Sequence, residues 1–314
     1  MFSYRLILRR AWQFAWRTPY FWFFGLFAAL LGNGGEYEII SRVFWPSGRT
    51  WFLPGVDFWS AGVLAGFPTF FLKDPIAAFL LFFFGVVLLA LFIFFLWVII
   101  VSQGALVRAA ALAFAGKTFD FKTCLTAGAR KFWPVFSLNF LSRAVISLLL
   151  LFFLPYWFVA GPAGHLPAAV YGFLALMILP TSLAVSFIGK YSIAYAVIKE
   201  EKLADALKKG IDLFLRNWLV SLEIALLLFL INCLIGGVLL VLLAVIAIPA
   251  YFFLVISQSL WFLAFCLILF LILIAGAGAI IAVFQTAAWT MLFAEISGRG
   301  GLSKLARIFR RAGK

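Results

Sequence analysis

Read from its first residue, the chain alternates between long uncharged runs and short stretches in which basic residues recur among apolar ones. The uncharged runs lie at about 20–31, 76–101, 135–159, 168–189, 219–248 and 260–294, broken by charge only at Arg143 and Glu223. A helix of about 20 apolar residues crosses the hydrocarbon core of a bilayer, so each run predicts a transmembrane helix. The first is the shortest and must borrow interfacial residues at both ends. Pro180, beside Thr181 and Ser182, predicts a kink in the fourth span whose freed carbonyl those hydroxyls help to satisfy. Residues 249–259 predict the turn between the fifth and sixth spans, and Gly276 and Gly278 predict close helix packing in the sixth.

The stretches between the runs have a different period. In 1–19, Leu8, Trp12 and Trp16 recur every four residues among Arg5, Arg9, Arg10 and Arg17. That pattern predicts a helix lying flat in the membrane interface. A signal peptide competes, because a basic start precedes an apolar run. The long aromatic region, with no small-residue cleavage site before Gly32, favours the surface helix. A second basic amphipathic helix is predicted at 121–133, and a third at 203–215, where Leu203, Leu207, Ile211 and Leu215 form the apolar stripe. Asp205 with Lys209, and Asp212 with Arg216, are acid-to-base pairs four apart, each adding a few tenths of a kcal/mol. The tail 295–314 is a last basic amphipathic segment. The residues placed to touch lipid head groups are Arg9, Arg10, Trp12, Trp16, Arg130, Lys131, Trp133, Lys208, Lys209, Arg216 and Trp218.

The two patterns combine into a repeat. Gly128, Phe132 and Trp133 precede the third span, and Gly210, Phe214 and Trp218 precede the fifth. Each unit is an amphipathic helix followed by a membrane hairpin. The fold class is therefore all-α: one polytopic membrane domain over 1–314, six transmembrane helices in three parallel hairpin repeats (about 1–103, 104–189 and 190–294). Units that enter from the same side differ from inverted transporter repeats.

Composition and charge set the orientation. The 314 residues are 66% hydrophobic and only 11% charged, which leaves little room for a soluble domain. Of 25 Lys and Arg residues, 21 lie in the segments assigned to one face, three in the loop 33–75 (Arg42, Arg49 and Lys73), and one, Arg143, in a span. This bias predicts both termini in the cytoplasm and the chain in a bacterial cytoplasmic membrane. The net charge of +14 flanks apolar runs, so it speaks for anionic lipid head groups and not for nucleic acid. Cys124, Cys233 and Cys266 have no metal or disulfide spacing.

Little in the residues points to a reaction. A serine-histidine site could use only His165, in an uncharged turn, and the spans carry no Asp pair. No cofactor or metal is implied. The intramembrane polar candidates are Asn139, Arg143, Glu223 and Asn232. Arg143 and Glu223 stand at similar depths from the same face, which predicts an ion pair, since a charge in hydrocarbon costs at least about 2.5–3.5 kcal/mol. Asn139 and Ser147, one turn either side, would give Arg143 a stripe facing the bundle.

Ala11-Trp12, Trp16-Arg17, Phe21-Trp22 and Phe24-Gly25-Leu26, followed by Gly34-Gly35, resemble a group of bacterial six-helix membrane proteins, as do Ala204, Ala206 and Gly210 before Asn217-Trp218. The group includes the membrane domain attached to some glycerophosphodiester phosphodiesterases. The resemblance implies a membrane module only, because the hydrolase's paired histidines and metal-binding carboxylates have no counterpart here. The expected function is a non-enzymatic membrane scaffold or lipid-interacting module. It would sit in the bilayer against anionic head groups, with a membrane or outer-face protein as a further partner, the loop 33–75 being the place for its contact. The alternative is a transporter or channel for a small solute.

Overall fold

The computed structural model describes residues 4–31, 75–151, 168–257 and 259–299. The expectations for 33–74, for His165 and for the tail beyond Arg299 lie outside these residues. The described chain is helical throughout, with no strand. The helices are α1 (Tyr4–Arg17), a 3-10 turn (Pro19–Phe21), α2 (Trp22–Leu30), α3 (Pro75–Phe114), α4 (Phe121–Arg130), α5 (Phe132–Leu151), α6 (Ala168–Ile198), α7 (Leu203–Ser257) and α8 (Leu260–Arg299). Five stretches are long and apolar enough to cross a membrane: Phe79–Phe114, Phe132–Leu149, Leu176–Ile198, Leu203–Phe253 and Trp261–Gly298. The first uncharged run forms only a shorter apolar helix, Pro19–Leu30.

Several boundaries differ from those the charge pattern predicts. α3 continues past Gln103 and Gly104 to Phe114. Its extension is rich in alanine, the best helix former, and Ala105, Ala109 and Ala110 are fully buried. α6 likewise runs on to Ile198 and α8 to Arg299. Both long helices end where the backbone turns left-handed, α3 at Gly116 (φ 69°) and α6 at Glu200 (φ 57°). Lys117 N–H closes the first end on the Leu112 carbonyl at 3.0 Å.

α7 passes straight through Pro249 to Ser257, so the turn predicted at 249–259 narrows to the step into α8. A proline removes one ladder bond, and the apolar flanks here hold the helix on either side of it. The break in α7 falls instead at Asn217, whose φ and ψ (−130°, 28°) are non-helical. Asn217 is buried, and its side-chain amide bonds the Leu213 carbonyl at 3.1 Å. The break splits α7 into a short arm (203–216) and a long arm (218–257).

Packing concentrates at the end of the bundle that carries α1, α4 and the short arm of α7, called the basic end below. There α3, α6 and α8 pack against one another. α2 lies against α3 and α8, α5 against α6 and α3, and α7 against α8 and α6. The main buried cluster joins Ala105, Leu106, Tyr191, Ala194, Leu292 and Phe293 to α1 and α2. Tyr195 meets Phe293 edge-on at 4.8 Å, and Phe24 stacks on Phe121 at 4.4 Å.

Candidate functional site

Three short helices crowd the basic end. Each buries small residues against the bundle, α1 and the short arm of α7 with larger apolar ones beside them, and each leaves its basic residues outside. α1 buries Ala11 and Ala15 with Tyr4, Ile7 and Phe14 against α8. The stripe predicted from spacing is therefore not its packed face: Leu8 is half-buried, while Trp12 and Trp16 are 41% and 51% exposed. Trp12 touches Phe284 edge-on at 5.6 Å, and Trp22 donates its indole N–H to the Ala15 carbonyl at 2.7 Å. Arg9 is exposed, and Arg10, also exposed, sits 5.6 Å over the Phe114 ring.

α4 buries Cys124 and Gly128 against α3. Arg130 and Trp133 are exposed, and Lys131 donates to the Glu200 carbonyl at 3.3 Å. The short arm of α7 buries Ala206, Gly210 and Leu213. The predicted stripe again points elsewhere: Leu203, Ile211 and Leu215 are exposed and Leu207 is half-buried. Lys208, Lys209, Arg216 and Trp218 are exposed too. Of the two predicted pairs, Arg216 with Asp212 forms at 2.9 Å. Lys209 pairs with Glu201 instead of Asp205, because the turn after α6 brings Glu201 to it. Exposed pairs of this kind contribute about 1 kcal/mol at most.

The glycines account for the close approach. A Cβ on Gly128 would run into the Val101 carbonyl oxygen and stand 2.9 Å from Ala105 N, and one on Gly104 would stand 3.1 Å from Gly128 Cα. A Cβ on Gly210 would strike Ser192 Oγ, and one on Gly25 the Ala279 carbonyl oxygen. Gly276 and Gly278, predicted to mediate packing, have no neighbour there. α2 packs one residue on, at Ala279, so the two glycines lie on sides of α8 turned away from that contact.

Polar bonds lock the same contacts. Asn139 donates to Gln103 Oε1 at 2.6 Å and to the Val135 carbonyl at 2.9 Å. Tyr191 and Ser221 share a hydrogen bond of 2.6 Å. The two sets correspond. Asn139 follows Gly128 by eleven positions and Ser221 follows Gly210 by eleven, while Gln103 adjoins Gly104 and Tyr191 adjoins Ser192. Beside them the Tyr4 hydroxyl donates to the Glu223 carboxylate, and the Lys190 ammonium sits 4.4 Å from the Trp289 ring centroid.

Arg143 and Glu223 do not pair. Arg143 is exposed and donates to the Leu31 carbonyl, while Glu223 is turned toward α1. Depth along two helices fixed their levels but not the faces on which they stand. Of the stripe around Arg143, only Asn139 reaches another helix; Ser147 is exposed. Asn232 Oδ1 and Ser182 Oγ are buried without a hydrogen-bond partner among the described residues. Beside Pro180, Thr181 bonds the Met177 carbonyl at 2.7 Å, one residue past the Leu176 carbonyl that the proline frees. Burial pushes the Cys124 thiol up to about 11, Arg108 opposing and Asp120 reinforcing the shift.

Gln103, Tyr191, Ser221, Tyr4, Lys190 and Trp289 escape a reading by hydropathy: Ser221 and Trp289 are single residues inside apolar runs, and the other four stand just outside the runs with nothing to mark a partner. The eleven-residue step from glycine to polar residue is the signal that finds two of the bonds. No protein-family model, curated protein or solved structure matches this chain.

Proposed function

We propose that the protein is a non-enzymatic integral membrane scaffold, a six-span bundle that grips one leaflet through three amphipathic helices. Each of three units contributes a surface helix (α1, α4, the short arm of α7), a first apolar helix (α2, the shortest, then α5 and the long arm of α7) and a second span (α3, α6, α8). The matching contacts of Gly128 with Asn139 and of Gly210 with Ser221 support the repeat. In it, each surface helix docks on the second span of the unit before, and α1 closes the ring on α8. The basic residues then form a collar at the cytoplasmic face of a bacterial inner membrane, with both termini on that side.

One observation carries the lipid reading. α1 and the short arm of α7 bury Ala11, Ala15, Ala206 and Gly210 and leave Trp12, Trp16, Leu203, Ile211 and Leu215 exposed beside arginines and lysines. An exposed apolar stripe flanked by cations suits a head-group layer, where each basic residue adds about 1 kcal/mol of attraction to anionic lipid. The test is thermal stability in nanodiscs of phosphatidylcholine with and without phosphatidylglycerol. Anionic lipid should stabilise the wild type, and Lys208→Gln with Arg216→Gln should remove part of that gain. Equal stability of the wild type in both lipids would defeat the reading.

Ser182 and Asn232 favour a second reading, carriage of a small solute, because buried polar atoms without hydrogen-bond partners among the described residues suit a polar path. A solute-flux screen in liposomes tests it, and Asn232→Leu should abolish any flux found.

A further inference from the structure

Arg143 is the one charged residue in α5. In hydrocarbon a long basic side chain commonly reaches for the nearest head groups. This one is held sideways, its guanidinium donating to the Leu31 carbonyl at the end of α2. Two independent measures place that end part-way through the membrane. Pro19–Leu30 rises only about 18 Å, against a hydrocarbon core of about 30 Å. Leu31 also packs with Leu96 against the cluster of Ile100, Val135 and Leu138, and α3 continues some twenty residues, about 30 Å, beyond Leu96. Arg143 is one turn, about 6 Å, past the Asn139–Gln103 bond. A helix end and a cation thus meet inside the bilayer, about 18 Å in from the basic end.

Among the described residues no carboxylate pairs with the charge there. The end of a helix carries roughly half a negative charge, and the guanidinium a full positive one. Arginine has five N–H donors, and the Leu31 carbonyl is the partner found for them among the described residues. Its exposed remainder matches the paired oxygens of a phosphate, which a guanidinium binds with two parallel hydrogen bonds. We propose that the Leu31 carbonyl at the end of α2 positions the Arg143 guanidinium in a notch, where its remaining N–H donors hold the phosphodiester head group of a phospholipid drawn into the bilayer beside α5. The notch is separate from the basic collar, and neither depends on the other.

Native mass spectrometry of the full chain, with phosphatidylglycerol titrated into detergent, tests this. The wild type should hold one phosphatidylglycerol molecule about tenfold more tightly than Arg143→Gln, the loss of roughly one charge-assisted contact. Arg143→Lys keeps the charge without the fork, and should lose about threefold. Lys208→Gln with Lys209→Gln should leave this tight molecule in place. Equal tight binding by the wild type and Arg143→Gln would overturn the notch. Should Arg143→Gln fail to fold, equal binding by the wild type and Arg143→Lys would overturn it instead. Inorganic phosphate at millimolar concentration should not displace the lipid, and displacement would overturn the lipid assignment.

Discussion

The basic end and the far halves of the long helices are made from the same residue types and behave oppositely. At the basic end, Ala105, Ala109, Ala194 and Ala287 are almost wholly buried beside Gly128 and Gly210. In the far halves, Phe82 to Phe84 in α3, Leu234 in α7 and Trp261 in α8 stand open, Trp261 at 88% exposure. Hydrophobicity does not separate the two regions, since the far halves are the more apolar. Side-chain size does. Small residues let backbones approach until van der Waals contacts and polar bonds form, and this is what joins helices where lipid is as apolar as leucine. The large exposed residues in the far halves of α3, α7 and α8 meet little packing among the described residues and suit contact with acyl chains.

The sharpest way to break this comparison is to put bulk where the backbones meet. Gly128→Leu should destabilise by about 3 kcal/mol or more, the upper range for overpacking, because the obstacle is the Val101 carbonyl and cannot rotate away. Gly237→Leu, with nothing within 4 Å, should change stability by less than about 0.5 kcal/mol. Thermal unfolding in one detergent compares the two, and a harmless Gly128→Leu would remove the distinction. Next in size is the Asn139–Gln103 bond. A double-mutant cycle with Asn139→Leu and Gln103→Leu should return a coupling of about 0.6–1.7 kcal/mol. Zero coupling would make the bond incidental to the packing.

Smaller effects sharpen the picture. Leu234→Ala should cost well under the roughly 2–5 kcal/mol of a buried leucine, since it opens no cavity in protein. At the basic end, burial raises the Cys124 thiol to about 11, so below that pH it stays protonated and poor in thiolate. A water-soluble maleimide at pH 8 should label it many times more slowly than a cysteine placed at exposed Thr123. Comparable rates would show that α4 does not seal against α3.

The sequence made the larger divisions legible. Uncharged runs marked the long helices, and the spacing of basic residues marked the three short ones at the basic end. The details of packing were hidden for a physical reason. The predicted stripes followed Leu8, Trp12 and Trp16 in α1 and Leu203, Leu207, Ile211 and Leu215 in α7, and packing leaves most of these outside. The buried faces mix alanine, glycine and cysteine with Tyr4, Ile7, Phe14 and Leu213, and the small residues are too weak a signal to set the stripe. The same blindness covers Arg143 and Glu223. Helical rise gave their depth, but their partners depend on rotation about each axis, and a run that is apolar on every side fixes no rotation.

The most direct test of the account follows one helix at single-residue steps. Nitroxide labels at Lys208, Ile211 and Leu215, on the short arm of α7, would be read for access to oxygen and to a water-soluble nickel chelate. The account predicts that Ile211 and Leu215 favour oxygen, as lipid-facing sites do, while Lys208 favours nickel. If Leu215 were as open to nickel as Lys208, the short arm would lie in water, and the claim that the basic end grips a leaflet would be wrong.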